Sequence, residues 1–261
     1  MAKKKIALDA GHGLKTSGKQ TPDGIKEWTL NDKVRDNVVA YLVGYDVEII
    51  HTDNNEGNTD ESLSSRLKKY QNAGVDAFVS IHHNAYTGSW NKATGVEVYT
   101  DKNPTSKDKA LAKAIYTRLV EYTGLKGRGI KQANYTVIDQ DRIPAVLVEG
   151  GFMDGSTDHK YITSSAGQLA YAKAVANGLI EFLNLKKIEQ PKTVSLFKIK
   201  VANVNKGDVL NIRKEPSAKA TITGKLAYND PNVYTIVDVR NGWGKLKSGV
   251  GWINLSYTKR V

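Results

Sequence analysis

The sequence predicts an α/β domain followed by a small all-β module. Three observations carry this division. Over the first two-thirds of the 261 residues, short β-like runs alternate with stretches of helical periodicity. Beyond about residue 194, only short β runs remain, set closely between turn signals. Between the two lies Leu185-Lys186-Lys187-Ile188-Glu189-Gln190-Pro191-Lys192-Thr193, a polar stretch with a proline that follows a long helical pattern. It reads as a linker, giving a larger domain at residues 1–184, a linker at 185–193 and a smaller domain at 194–261.

In the larger domain, strands are expected at Lys5–Leu8, Val47–His51, Ala77–His82, Gly95–Tyr99, Tyr135–Ile138 and Ala145–Glu149. Helices fill the intervals. Trp28, Val34, Val38, Tyr41 and Leu42 mark the first. Leu63, Leu67 and Tyr70 mark a second, with a cap signal at Thr59 and Asp60. Ser106 caps a third, which buries Leu111, Ala114, Ile115 and Leu119 and stops at Gly124. The last runs from about Ala166 to Leu183 on a stripe of Leu169, Ala172, Ala176, Leu179 and Ile180. In the smaller domain, strands are expected at Phe197–Val201, Val209–Arg213, Thr221–Leu226, Val233–Val239, Gly244–Lys247 and Gly251–Asn254. Asn205-Lys206-Gly207, Glu215-Pro216, Asn229-Asp230-Pro231 and Asn241-Gly242 punctuate them, the pattern of a small β-barrel.

Composition narrows the function. A chain with 40% hydrophobic and 25% charged residues has the make-up of a folded globular protein. No apolar run approaches the roughly 18 residues a membrane helix needs, so no membrane partner is expected. Met1-Ala2-Lys3-Lys4-Lys5 has the charge of a signal peptide, but Ile6-Ala7-Leu8 meets Asp9 at once and no apolar core follows. Synthesis in the cytoplasm without a classical export signal is expected. There are no cysteines, which excludes disulfides, thiol nucleophiles and thiolate metal sites. Any metal must sit on carboxylates and on His12, His51, His82, His83 or His159.

The formal net charge of +11 is unevenly spread. Residues 1–185 hold 23 Lys/Arg and 22 Asp/Glu, a net of +1. Residues 186–193 hold three and one, a net of +2, and residues 194–261 hold 12 and four, a net of +8. A basic module beside a nearly neutral domain points to an anionic partner, either nucleic acid or a polymer such as a cell wall.

Three expected strands run into groups that bind metals or move protons. The first leads to Asp9-Ala10-Gly11-His12-Gly13, the third ends Ser80-Ile81-His82-His83-Asn84, and the last ends Val148-Glu149-Gly150-Gly151. Ligand sites in open α/β sheets gather at the carboxyl ends of strands, which would place His12, His82 and Glu149 around one crevice. Glu27, just before the first helix, is a fourth candidate. The set matches a catalytic zinc site. Two neutral imidazoles and one carboxylate leave the metal positive enough to acidify a water and polarise a carbonyl. His12, Glu27 and His82 suit that task, and Glu149 suits that of a carboxylate moving the proton to a leaving amine. His82 and His83 are adjacent on a strand and face opposite sides, so only one joins the site. His51 and His159 lack such a setting. Gly11-His12-Gly13 is not a phosphate loop, because no Gly-Lys-Ser/Thr ending follows.

Asp9-Ala10-Gly11-His12-Gly13, Glu27 before Trp28-Thr29-Leu30-Asn31, Ser80-Ile81-His82-His83-Asn84-Ala85 and Val148-Glu149-Gly150-Gly151-Phe152 resemble, in order and spacing, the motifs of the zinc N-acetylmuramoyl-L-alanine amidases. Leu63, Arg66 and Arg128-Gly129-Ile130 agree as well, and the resemblance spans about residues 4–183. It implies a twisted, mostly parallel six-stranded sheet flanked by helices. It also implies one zinc ion on His12, Glu27 and His82, and Glu149 as the catalytic carboxylate. The substrate implied is peptidoglycan, cut at the amide joining N-acetylmuramic acid to L-alanine. Two departures concern loop shape. Gly150 stands where many members have leucine, and Asp154-Gly155 follows Met153 where a Ser-Asn pair is common after the Gly-Phe step. The segment after Tyr86, where some members carry a regulatory helix, is short, which implies an open groove.

Val209-Leu210-Asn211-Ile212-Arg213-Lys214-Glu215-Pro216, Gly242-Trp243-Gly244-Lys245 and Gly251-Trp252-Ile253 resemble bacterial SH3-type wall-binding domains. That resemblance implies wall binding through Trp243 and Trp252, with anionic wall polymers as further partners in place of nucleic acid. Core packing is the other role open to the two tryptophans. The combination fits a phage endolysin freed through a holin, or a mother-cell autolysin released on lysis. A zinc peptidase acting within the stem peptide and a non-catalytic wall-binding protein are the rival functions.

Overall fold

Alternating short apolar runs and amphipathic stretches produce a sheet with helices laid on it. The structure, a computed structural model, describes residues 3–188, 196–240 and 242–261. Strands β1 (Lys4–Ala10), β2 (Val47–His51), β3 (Ala77–Asn84), β4 (Val96–Thr100), β5 (Gly127–Gln132) and β6 (Ala145–Phe152) form one sheet in the order β2-β1-β3-β6-β4-β5. β2, β1, β3 and β6 are parallel neighbours, β4 runs antiparallel to β6, and β5 is parallel to β4. The sheet is therefore mixed but mostly parallel.

One expected strand is corrected. Tyr135–Ile138 is a tight turn closed by the Ile138 N–H donating to the Tyr135 carbonyl. Its Val137 and Ile138 are apolar because they pack with Tyr70 and Phe78 beneath the sheet. The edge strand is β5 instead, whose Gly-Arg-Gly-Ile-Lys-Gln sequence lacks the apolar signature because an edge leaves much of the strand in solvent.

Helices α1 (Glu27–Leu42), α2 (Leu63–Ala73), α3 (Ser106–Thr123) and α5 (Ser165–Leu183) lie where periodicity expected them, and a short α4 (Asp158–Ile162) was not foreseen. The caps differ in detail. Ser62 caps α2, accepting from the Ser65 N–H, while Asp60 is turned to Thr16 and Arg66. Thr105 and Asp108 form a reciprocal capping box at α3, one residue before the expected Ser106. Gly124 ends α3 in the left-handed conformation, as its position predicts. On α5 the buried stripe runs through Tyr171, Ala172, Val175 and Leu179, leaving Leu169 exposed.

Because side chains alternate along a strand, the two faces of the sheet have different fates. Ile6, Leu8, Val79, Ile81, Val96, Val98, Val146 and Val148 pack against Val34 and Val38 of α1, Leu111 and Ile115 of α3, and Val175 and Leu179 of α5. Each such side chain, fully removed from water, contributes roughly 1.5–3 kcal/mol. On the other face, Ala7, Phe78, Ala145 and Leu147 meet Tyr70 of α2 and the 135–138 turn. Further along that same face, at the carboxyl ends of β1, β3 and β6, a crevice of about 520 Å³ is lined by Asp9, His12, His82, Leu147 and Glu149.

The chain forms two compact units, Met1–Ile188 and Glu189–Val261. The first reaches past residue 184 because Leu185 is buried and the next residues pair with the α1–β2 connection. Asp46 N–H donates to the Lys186 carbonyl and Ile188 N–H to the Gly44 carbonyl. Residues 189–193 of the expected linker lie outside the described residues. In the second unit, β7 (Phe197–Val201), β8 (Val209–Arg213), β9 (Ile222–Ala227), β10 (Tyr234–Arg240), β11 (Trp243–Leu246), β12 (Trp252–Asn254) and β13 (Thr258–Arg260) make an antiparallel sheet in the order β13-β7-β10-β11-β12-β8-β9. Its interior holds Ile199, Val201, Leu210, Ile212, Leu226, Ile236, Leu246 and Ile253. No helix among the described residues is long and apolar enough to cross a membrane.

Candidate active site

The crevice is built on the loop after β1. Gly11 lies against the His82 ring so closely that a Cβ there would fall 2.1 Å from an imidazole carbon. His12 adopts φ 67°, a strained conformation for a non-glycine residue that needs outside support. Arg66 of α2 supplies it. Buried to 1% exposure, its guanidinium donates to Asp9 Oδ1 at 2.7 Å, to the Ala10 carbonyl at 2.9 Å and to the His12 carbonyl at 2.7 Å.

Glu27 opens α1 inside the site. Its Oε2 is 3.2 Å from His12 Nε2 and its Oε1 3.1 Å from His82 Nδ1. Burial pushes the Glu27 carboxyl up, but hydrogen bonds from His12 and His82 outweigh it and hold the group well below the usual carboxylate range. Asn31, one helical turn on, donates to Glu27 Oε1 and to the Gly11 carbonyl, tying helix to loop. The donor atoms of His12, Glu27 and His82 all lie within 4.8 Å of one another. Two imidazoles and a carboxylate gathered this way fit a divalent metal of the zinc type, whose catalytic sites use three protein N/O ligands.

The other nitrogen of His82 faces away from Glu27. Nε2 is 3.1 Å from Ser80 Oγ, and Ser80 Oγ donates to Asp9 Oδ2 at 2.7 Å. His83 points to the opposite face, as alternation requires. There its Nδ1 is 2.8 Å from Asn31 Oδ1 and its ring meets Tyr171 edge-on, and burial pushes its pKa down to about 4. His83 thus stays neutral and braces Asn31. His51, beside Asn55, and His159, beside Asp23 and Trp90, lie outside the cluster.

Glu149 sits directly across the β3–β6 ladder from His82. Its Oε2 is buried with no hydrogen-bond partner among the described residues. Burial, then the nearby charges of Glu27 and Glu97, raise its pKa well above the carboxylate range. A carboxyl group whose pKa is raised beside a metal donor set can exchange a proton during a reaction.

Both departures from the family pattern have structural counterparts. A Cβ on Gly150 would fall 2.0 Å from a Tyr171 ring carbon. That space admits Tyr171, whose hydroxyl donates to the Val148 carbonyl at 2.8 Å. Asp154, 1% exposed, accepts the N–H groups of Tyr86, Thr87 and Gly88 through Oδ2 at 2.8–2.9 Å. It thereby fixes the short connection after β3, which contains no helix between Asn84 and Val96. Residue patterns alone flagged the four chemical groups but not Asp9, Ser80 and Asn31 as their supports. Arg66 entered only through the resemblance.

In the second unit, Trp243 lines a crevice of about 500 Å³ with Asn203, Asn205, Asp208, Arg213 and Tyr257. Trp252 is 5% exposed, with the Arg240 guanidinium 5.2 Å and the Lys245 ammonium 5.9 Å from its ring.

A crevice at the carboxyl ends of parallel strands, holding a three-group donor set and a separate protonatable carboxylate, has the composition of a hydrolytic centre. The chain belongs to the N-acetylmuramoyl-L-alanine amidase family, whose sequence profile matches residues 6–181. It is 35% identical over 187 residues to an endolysin of Bacillus phage SPP1, covering 70% of this chain and 68% of that protein. It is 28% identical over 197 residues to the sporulation-specific N-acetylmuramoyl-L-alanine amidase of Bacillus subtilis, covering 76% and 74%. Among solved structures, the catalytic domain of the amidase CwlV from Bacillus (Paenibacillus) polymyxa var. colistinus superposes with a TM-score of 0.64 at 31% identity, covering 70% of this chain and 99% of that one. The protein is accordingly a peptidoglycan amidase of the N-acetylmuramoyl-L-alanine type.

Proposed function

We propose that His12, Glu27 and His82 hold one zinc ion, and that Glu149 moves the proton when the amide between N-acetylmuramic acid and L-alanine is cut. The observation that carries this reading is the convergence of three donor groups within 4.8 Å with Glu149 in register beside His82. A bound zinc ion supplies a Lewis acid and an acidified water. Glu149 Oε2, free of competing hydrogen bonds, accepts the proton of the attacking water and returns it to the leaving amine. Arg66 and Asn31 hold His12 and Glu27 in place meanwhile.

The biological role we propose is that of a phage endolysin acting at the bacterial cell wall, in line with the 35%-identical relative. The sporulation-specific relative supports a mother-cell autolysin as the second reading. The C-terminal unit is read as an SH3-like wall-binding domain over residues 194–261. The crevice beside Trp243 and a net charge of +8 would contact peptidoglycan and anionic wall polymers. Trp252 would act through the two cations stacked on it.

Lysis of purified walls should stop with a chelator, return with zinc, and release peptides whose new amino terminus is L-alanine. Any other new terminus would mean a peptidase. Glu149→Ala should abolish hydrolysis while leaving close to one zinc per chain. Activity surviving that change would remove Glu149 from its role.

A further inference from the structure

The sheet face that bears Glu149 continues across β4 and β5, and it carries an unusual charge arrangement. Glu97 on β4 pairs in register with Glu149 on β6, so the two side chains leave the same face. Glu97 is 1% exposed and receives four donors. These are Asn84 Nδ2 at 2.8 Å, the Tyr99 hydroxyl at 2.6 Å, Arg128 Nε at 2.7 Å and Lys131 Nζ at 2.5 Å. One buried carboxylate thus anchors two cations, and the group as a whole retains a positive charge. Neutralising Glu97 requires only one of them.

The cations are held, yet open to solvent. The side chains of Arg128 and Lys131 are 33% and 36% exposed. The Arg128 guanidinium lies 4.8 Å from the centre of the Phe152 ring, and Lys131 Nζ 5.8 Å from that of Tyr99. The backbone is shaped for this. Val96 pairs with Gly127 and Val98 with Ile130, so Arg128 and Gly129 together oppose Glu97. Gly129 takes φ 95° in this bulge, the device by which a strand re-aims a side chain.

We propose that Arg128 and Lys131, positioned by Glu97, form a subsite for a carboxylate on the peptide arm of the substrate. The inference rests on the amidase reading and on Glu149 marking the cut bond. The peptide that leaves begins at the amide nitrogen beside Glu149, and peptidoglycan stem peptides carry free carboxylates. Neighbouring strands are about 4.8 Å apart, so β5 lies about 10 Å from Glu149. An extended peptide covers that span in about three residues. A guanidinium and an ammonium suit a carboxylate placed there, as charge-assisted donors.

The test compares N-acetylmuramoyl peptides of three residues whose carboxylates are either free or amidated. The wild-type protein should cleave both, with a lower KM for the acidic peptide. Arg128→Ala and Lys131→Gln should each raise KM for the acidic peptide about tenfold, with kcat nearly unchanged and the amidated peptide unaffected. Lys131→Arg should keep most of the preference. Equal KM values for the two peptides in the wild-type protein would overturn the subsite while leaving the amidase reading standing. Losses in the variants that are equal for both peptides would do the same. Failure of the wild-type protein to cleave either peptide would defeat the reading and the subsite together.

Discussion

The two ring nitrogens of His82 have different duties. Nδ1 faces Glu27, and Nε2 faces Ser80, whose hydroxyl passes its own proton toward Asp9. With Ser80 Oγ donating to the carboxylate, its oxygen can accept from Nε2–H, and in the metal-loaded site proposed here Nδ1 would give up its hydrogen bond to Glu27 and offer a lone pair instead. Asp9 can play this part because Arg66 and Thr52 also hold it; burial alone would raise its pKa, and the Arg66 charge with the Ser80 and Thr52 hydroxyls brings it below the usual range. Ser80→Ala should therefore weaken zinc binding by about tenfold to a hundredfold in competition with a chromogenic chelator. An unchanged affinity would show that the tautomer is set elsewhere. Much of this grouping was readable from residue types. His12, Glu27, His82 and Glu149 stand out because carboxylates and imidazoles at strand ends need a reason to be there. Ser80 and Asp9 do not stand out, since a serine or aspartate has many ordinary uses and only distance assigns this one.

Among the elements, the connection after β3 shows how one buried carboxylate can organise a loop. Burial pushes Asp154 up, and the N–H bonds from Gly88, Thr87 and Tyr86 outweigh it, leaving the carboxyl below its ordinary range. A carboxylate with a depressed folded-state pKa stabilises the fold at pH values above its unfolded value. That contribution fades as pH falls through the lower folded value. Asp154→Asn should lower Tm by a few degrees at pH 7, and the gap to the wild-type protein should shrink below about pH 4. A gap that stays constant with pH would rule out the charge as its source. Elements were legible wherever burial imposed a period, as in β1, β3, β6 and the long helices. β5 escaped notice because its side chains serve Glu97 and solvent, and 135–138 misled because a buried turn can be as apolar as a strand.

For the whole molecule, charge is divided unevenly, and the wall-binding role proposed for the second unit makes this testable. Residues 1–185 carry a net of +1 and residues 194–261 a net of +8, so salt should act mainly on attachment. Full-length protein should bind purified walls less tightly as sodium chloride rises from 50 to about 500 mM. Cleavage of a small soluble N-acetylmuramoyl peptide should change much less over the same range. Equal salt sensitivity in the two assays would place the electrostatic work in the crevice.

The strand order also governs when the crevice is complete during synthesis. β6 lies between β3 and β4, yet it is the last strand of its sheet to be synthesised. Until it inserts, β4 and β5 have no partner joining them to β3, and Glu149 is missing from beside His82. Tyr171, which clasps the Val148 carbonyl, arrives later still. A ribosome-bound fragment ending before residue 145 lacks β6 and with it Glu149, so the site proposed above is complete only once that strand has been made.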